Sequence, residues 1–284
     1  MLSCNATVLF ENSGAVGERL NHVTQNHHPG MLSCSIPAKA VQQTSIMIRQ
    51  LSPPLAIDSD CYQVSCHFDR TLFHDETANQ LGLILPAKMD SAVQKRKAEF
   101  LAGRYCARAA LAQLDSNLDA AVGIGANRVP LWPPGLVGSI THSHCYASAV
   151  VARQQHIRAV GLDSETWIKK SNRENVSSLI LTPSETRSGQ IQLFDSPLHF
   201  LTLVFSAKES LFKCLFPLVN RFFDFQAAII SPLPSGSASG GKFRFELLED
   251  LDTEFRAGYS GYGTYAMDAT GVHTAIVLRA QTRD

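Results

Sequence analysis

Val160-Gly161-Leu162-Asp163-Ser164-Glu165 is the stretch on which the fold turns. Alternate residues of a strand share a face, so Asp163 and Glu165 project together while Val160 and Leu162 point into a core. Two carboxylates side by side repel one another unless a cation lies between them. A hard cation such as Mg²⁺ takes oxygen ligands and completes its shell with water and substrate phosphate. A lone Asp-x-Glu is more often a solvated strand face than a metal site. The pattern gains weight from Phe205-Ser-Ala-Lys208-Glu209-Ser-Leu-Phe-Lys213 downstream and Val137-Gly-Ser-Ile-Thr-His142-Ser upstream. Together the three segments outline a divalent metal held against a pyrophosphate.

The downstream segment lies in a predicted helix. Ser196-Pro197 supplies an N-cap and a first-turn proline, and Pro217 is the expected stop. Leu201, Val204, Phe205, Leu211, Phe212 and Leu215 leave a narrow polar edge carrying Glu209 and Lys213. These two are four residues apart and sit one turn above each other. The competing reading is a helix-surface ion pair worth roughly a few tenths of a kcal/mol. Ser206-x-x-Glu209 also has the form of a capping box, but the helix pattern begins well before it.

A second helix is predicted over about 93–114, within Lys95-Arg96-Lys-Ala-Glu-Phe100-Leu-Ala-Gly-Arg104 and the alanine-rich run after it. Phe100, Ala107, Leu111 and Leu114 fall on one seam, with Arg104 in its middle. An always-charged guanidinium on a core-facing seam needs an anion, either carboxylate or phosphate. His142 is followed by His144, which would share its face on a strand. Ser143 beside it suggests a hydrolase, but no Gly-x-Ser-x-Gly elbow exists to support that reading.

These segments resemble the 4′-phosphopantetheinyl transferases, in the monomeric group that includes the surfactin-synthetase activator and enterobactin synthase component D. The matching stretches are Lys95–Arg104, Arg128-Val-Pro-Leu-Trp-Pro, Gly138–Ser143, Gly161–Glu165 and Phe205–Lys213. The resemblance implies an α+β fold of two similar α/β halves related by a pseudo-twofold, with coenzyme A between them. It implies Mg²⁺ on Asp163, Glu165 and Glu209. Glu209, Lys213 and Lys208 would be catalytic, Glu209 as general base on a carrier-protein serine. Arg96, Arg104, Arg128, His142, Lys208 and Lys213 would bind coenzyme A. Ser164 stands where many relatives carry an apolar residue or alanine.

Composition is compatible. The 284 residues are 45% hydrophobic and 18% charged, with formal net charge zero. A nucleic-acid binder would show a basic footprint, so none is expected. Seven cysteines without a CxxC or a His/Cys metal spacing read as a reduced, cytoplasmic chain. No apolar run approaches ~20 residues, and the start lacks the pattern of a signal peptide. The expected organisation is a poorly ordered extension (1–50), an N-terminal half with the phosphate-binding helix and hairpin (51–155), and a C-terminal half with the metal-binding strand and catalytic helix (156–284). The expected partners are coenzyme A and apo acyl or peptidyl carrier domains, with a monomeric enzyme and no membrane. Two other readings compete: a Mg²⁺-dependent pyrophosphohydrolase using the same carboxylates on water, and a non-catalytic coenzyme A-binding module.

Overall fold

The computed structural model describes residues 47–281 apart from Asp119, Gly236 and Ala238, with residues 173–175 described by backbone alone. Most of the expected extension over 1–50 lies outside the described residues. The chain enters through β1 (Ile48–Leu51), which pairs antiparallel with β2 (Cys61–Phe68). The expected boundary near residue 50 therefore cuts a strand. Polar Arg49 and Gln50 hid it by masking the alternation that marks a strand.

A one-turn α1 (Thr77–Gln80) precedes α2 (Gln94–Leu114), followed by a two-residue ribbon of β3 (Gly123–Ile124) and β4 (Pro130–Leu131). The hairpin β5 (Leu136–Ser143) and β6 (Tyr146–Arg153) completes a four-stranded antiparallel sheet in the order β1-β2-β6-β5. From β7 (Ile157–Thr166) the chain forms α3 (Arg173–Ile180), α4 (Pro183–Arg187) and α5 (Pro197–Val219). It then lays down β8 (Ala228–Pro232), β9 (Gly240–Leu247), β10 (Ser260–Met267) and β11 (Gly271–Arg279). The second sheet is five-stranded and antiparallel, in the order β7-β11-β10-β9-β8. The fold is thus α+β.

Each sheet carries one long helix. α2 packs on β2, β5 and β6 over a core that includes Val64, Phe68, Leu101, Leu111 and Val151. The close approach is set by small residues: a Cβ at Gly103 would press on the Ile140 side chain 2.9 Å away. α5 lies on β7 and β11 still more tightly. A Cβ at Gly161 would collide with the carbonyl oxygen of Ser210 and lie 2.7 Å from the backbone nitrogen of Cys214. Glycine is what lets α5 settle onto β7.

The alternation predicted for β7 holds, with one addition. Val160 and Leu162 enter an apolar cluster with Leu55, Val150, Ala152 and Ile157, which joins the two sheets. The opposite face is covered too, because α5 lies on it; Asp163 is only 2% exposed. α5 also runs past its expected stop. Pro217 is inside the helix, which ends at Asn220 with left-handed backbone (φ 48°) and its N–H on the Phe216 carbonyl. Proline costs the bond to residue 213 but not the helical φ, so the last turn survives near a terminus.

Candidate active site

The centre of the site is the Asp163 carboxylate. Lys213 Nζ donates to its Oδ1 at 2.6 Å, and Ser206 Oγ donates to Oδ2 at 2.7 Å. Thr141 Oγ1 from β5 donates to Oδ1 at 3.3 Å. The competing reading, a surface ion pair between Glu209 and Lys213, is not what forms; Lys213 reaches across to β7 instead. Burial disfavours the Lys213 charge, but Asp163, Glu209 and Glu165 outweigh it and raise the ammonium pKa.

The glutamates behave oppositely. Burial, then the charges of Asp163 and Glu209, push Glu165 well above the usual carboxylate range. Burial pushes Glu209 up to about 7, with Lys213 pulling it down and Asp163 pushing it up. Three carboxylates share one ammonium here, so full ionisation leaves two uncompensated negative charges. That excess suits a divalent cation, and an all-oxygen donor set suits Mg²⁺ over softer metals. Among the described residues no group of three His, Cys, Asp or Glu side chains is placed to hold a metal ion by itself.

His142 and Arg96 form a second group. Arg96 Nη1 lies 2.9 Å from His142 Nε2. Guanidinium can only donate, so Nε2 accepts and the imidazole is neutral with its proton on Nδ1. Burial, then Arg96, Lys213, Lys95 and Arg104, hold the His142 pKa down at about 3, which agrees with that tautomer. Buried Glu99 faces this group, 3.6 Å from Arg96 and 3.9 Å from His142 Nδ1. His144 does not share the face of His142. It sits beyond β5 in the turn (φ 37°), 3.3 Å from Arg70.

Arg104 is at the margin of the buried stripe of α2, not its middle. The stripe runs through Leu101, Ala102, Cys106, Ala107, Ala110 and Leu111. Its guanidinium lies over the Phe100 ring at 4.7 Å and donates from Nη2 to the Gly123 carbonyl at 3.1 Å. Its Nε is buried without a partner among the described residues. Burial and Arg96 lower its pKa to about 10. That N–H is free to donate to an anion or a water entering beside it.

Two expected site residues lie elsewhere. Lys208 is not in the cluster: its Nζ is enclosed by the Ile180 carbonyl (2.8 Å), Glu185 Oε2 (2.8 Å) and the Phe225 carbonyl (2.7 Å). Successive helix residues are turned by about 100°, so Lys208 points away from the face that carries Glu209. The structure thus places Lys208 in a buried enclosure apart from the cluster expected to carry catalysis and coenzyme A binding. Arg128 is exposed on a turn with left-handed backbone (φ 64°), and nothing in the geometry joins it to the other cations.

Ser206, Thr141 and Glu99 were not among the residues expected at the site. Ser206 carried a signal: Ser206, Ser210 and Lys213 are spaced i, i+4, i+7, a polar row on an otherwise apolar helix.

Acids and bases from β5, β7, α2 and α5 thus influence one another in a single region of an α+β fold. Comparison with known proteins gives the family. The 4′-phosphopantetheinyl transferase N-terminal domain matches residues 85–152, and the 4′-phosphopantetheinyl transferase superfamily domain matches residues 159–269. The chain is 38% identical over 159 residues to the 4′-phosphopantetheinyl transferase Npt of Nocardia iowensis, covering 55% of this chain and 69% of that one. It is 35% identical over 187 residues to 4′-phosphopantetheinyl transferase PptT of Mycobacterium tuberculosis, covering 66% and 81%. With enterobactin synthase component D of Salmonella typhi it shares 40% over 146 residues, covering 51% and 58%. The chain belongs to the 4′-phosphopantetheinyl transferase superfamily. Its activity is that of a transferase modifying carrier proteins.

Proposed function

We propose that this enzyme moves 4′-phosphopantetheine from coenzyme A to a serine of an apo acyl or peptidyl carrier domain, releasing 3′,5′-ADP, at the Asp163–Glu165–Glu209–Lys213 cluster. The observation that carries the reading is the charge imbalance there: buried Asp163 and Glu209 and half-buried Glu165 around one ammonium, with a cationic group (Arg96, His142, Arg104) on the neighbouring half. Two antiparallel sheets, each with one long helix on it, support the further proposal of two halves, 51–155 and 156–284, related by a pseudo-twofold with coenzyme A between them. A monomer working in the cytoplasm belongs to the same proposal. Among the described residues no helix is long and apolar enough to cross a membrane.

Asp163, Glu165 and Glu209 would hold Mg²⁺, which when bound neutralises the pyrophosphate. Glu209, ionising near 7, is matched to removing a serine proton at neutral pH. The serine oxygen forms a bond to the phosphorus bearing pantetheine, and the anhydride bond to the 3′,5′-ADP oxygen breaks. Lys213 meets the charge that builds on that leaving oxygen. Arg96, Arg104 and His142 fix the phosphates, so positioning and electrostatics carry the rate. The deciding test is product release: incubation with coenzyme A, Mg²⁺ and a panel of apo carriers should give 3′,5′-ADP only when a carrier is present. Release without carrier would instead mean a pyrophosphohydrolase.

Metal and proton should compete for the same carboxylates. Glu209 ionises at about 7 in the folded chain against 4.5 for the free group. The folded state therefore holds its proton more tightly, and metal-free stability falls as pH rises from about 4.5 to 7. Mg²⁺ should relieve that cost, so its rise in Tm should be larger at pH 8 than at pH 6. Scanning calorimetry with and without Mg²⁺ checks this. Equal rises at both pH values would contradict the metal assignment.

The 3′-phosphate of coenzyme A is assigned to the Arg96, Arg104 and His142 group. Charge-assisted hydrogen bonds are worth ~1.5–3 kcal/mol, so 3′-dephospho-coenzyme A should bind about tenfold or more weakly. Arg104→Lys should erase most of that difference, because lysine cannot stack on Phe100 while presenting a fork of donors. Calorimetric titration of both ligands decides it; equal binding by the wild type removes the assignment.

A further inference from the structure

β5 and β7 run side by side at the junction of the two sheets, yet they belong to different sheets and share no backbone ladder. Two hydroxyls stand in for it. Ser139 Oγ accepts from the Leu162 N–H at 3.0 Å, and Thr141 Oγ1 accepts from the Ser164 N–H at 3.1 Å. The acceptors are two residues apart on β5 and the donors two apart on β7, so the strand period of 2 is kept across the junction. Both hydroxyls are buried, Ser139 at 4% and Thr141 at 2% exposure. Unmade, each bond would leave a buried N–H unsatisfied.

The two are not equivalent. Ser139 only ties backbone. Thr141 Oγ1 also donates a hydrogen bond to Asp163 Oδ1 at 3.3 Å. One hydroxyl therefore fixes the β7 main chain and the carboxylate beside it. The other Asp163 oxygen is held by Ser206, whose hydroxyl is itself bonded to Thr274 on β11 at 2.9 Å. Asp163 is thus oriented from β5 and α5 together, and the β5 contribution comes from the residue directly before His142.

We propose that Thr141 is a positioning residue: it fixes the orientation of the Asp163 carboxylate, one of the groups that would hold Mg²⁺, and keeps β7 in register with the strand that carries His142. The proposal rests on the transferase reading. Hydrogen bonds to metal-ligating carboxylates typically govern 10–100-fold in affinity or activity, and Thr141 supplies one from the opposite half. A seam hydroxyl with a purely structural role would affect stability and nothing else. Ser139 provides that comparison within the same molecule.

The test uses the full chain with Thr141→Val, Thr141→Ser and Ser139→Ala. Valine keeps the shape and removes the hydroxyl; serine keeps the hydroxyl. Mg²⁺ binding in the presence of coenzyme A is read by calorimetry, which needs no carrier, and Tm is read alongside. Where turnover is measured, kcat and KM are separated. Thr141→Val should weaken Mg²⁺ binding by about tenfold or more and lower kcat, with KM for coenzyme A nearly unchanged. Thr141→Ser should stay near wild type. Ser139→Ala should lower Tm and leave Mg²⁺ binding unchanged. The proposal is overturned if Thr141→Val binds Mg²⁺ like wild type, if Ser139→Ala weakens it equally, or if Thr141→Ser fails as badly as valine. Wild-type chain that binds Mg²⁺ yet modifies no carrier would sink the transferase reading and leave the Thr141 result standing.

Discussion

Glu209→Gln is expected to lower turnover by ~10²–10⁴-fold, the cost of a lost general base, while the chain stays folded. The substitution keeps size and removes one carboxylate from a cluster whose full ionisation would leave two uncompensated charges. Metal-free stability at neutral pH should therefore hold or rise, since burial opposes the Glu209 charge. Mg²⁺ affinity should fall, because a ligand is gone. Lys213→Ala makes the contrast. It frees Asp163 Oδ1 from its 2.6 Å ammonium partner, so Mg²⁺ affinity should be retained while the rate falls for want of charge at the leaving oxygen. Both are assayed at saturating coenzyme A with one apo carrier while Mg²⁺ is titrated. If both variants stay within about twofold of wild type, a bound far below the general-base range, the cluster is not the site of chemistry.

Most of the scaffold under that cluster was legible because local patterns agreed with the tertiary fold. The alternation in β7, the β5–β6 hairpin and the two long helices all read directly from periodicity and turn residues. What could not be read was partner choice. Glu209 and Lys213 are one turn apart and so looked like each other's partners, but Gly161 brings β7 close under α5 and Asp163 takes the ammonium. Arg104 was legible as a cation in want of an anion. Its marginal position was not, because alanine-rich helices have no sharp apolar stripe to locate. The hydroxyls of Ser139 and Thr141 were invisible for a plainer reason: nothing in a strand says which edge it will be laid against.

Lys208→Ala is expected to cost stability, not chemistry, and the size follows from its surroundings. The Lys208 and Glu185 side chains are 3% and 0% exposed and lie 2.8 Å apart. Burial lowers the Lys208 pKa, with Glu185 opposing the shift. Glu185 is committed three ways: Oε2 accepts from Lys208 and from the Thr182 N–H of the α4 capping box, and Oε1 accepts from the Ile230 N–H at 2.7 Å. Lys208 in turn binds the carbonyls of Ile180 and Phe225, so one ammonium ties α5 to the end of α3 and the entry to β8. Removing it leaves a carboxylate buried without a counter-charge, for which ~3–5 kcal/mol is the usual penalty. At ~2–4 °C per kcal/mol for a chain of this size, Tm should drop by ~10 °C. Lys208→Met combined with Glu185→Gln should recover much of the loss, because no charge is then stranded and the amide oxygen can still take one backbone N–H. A residue that bound coenzyme A would behave otherwise: the double variant would stay catalytically impaired however stable it became. Thermal melts of the single and double variants, with kcat measured well below the lower Tm, separate the two. Recovered stability with wild-type turnover places Lys208 in the frame that holds Glu209 in position, and persistent loss of turnover restores it to the active site.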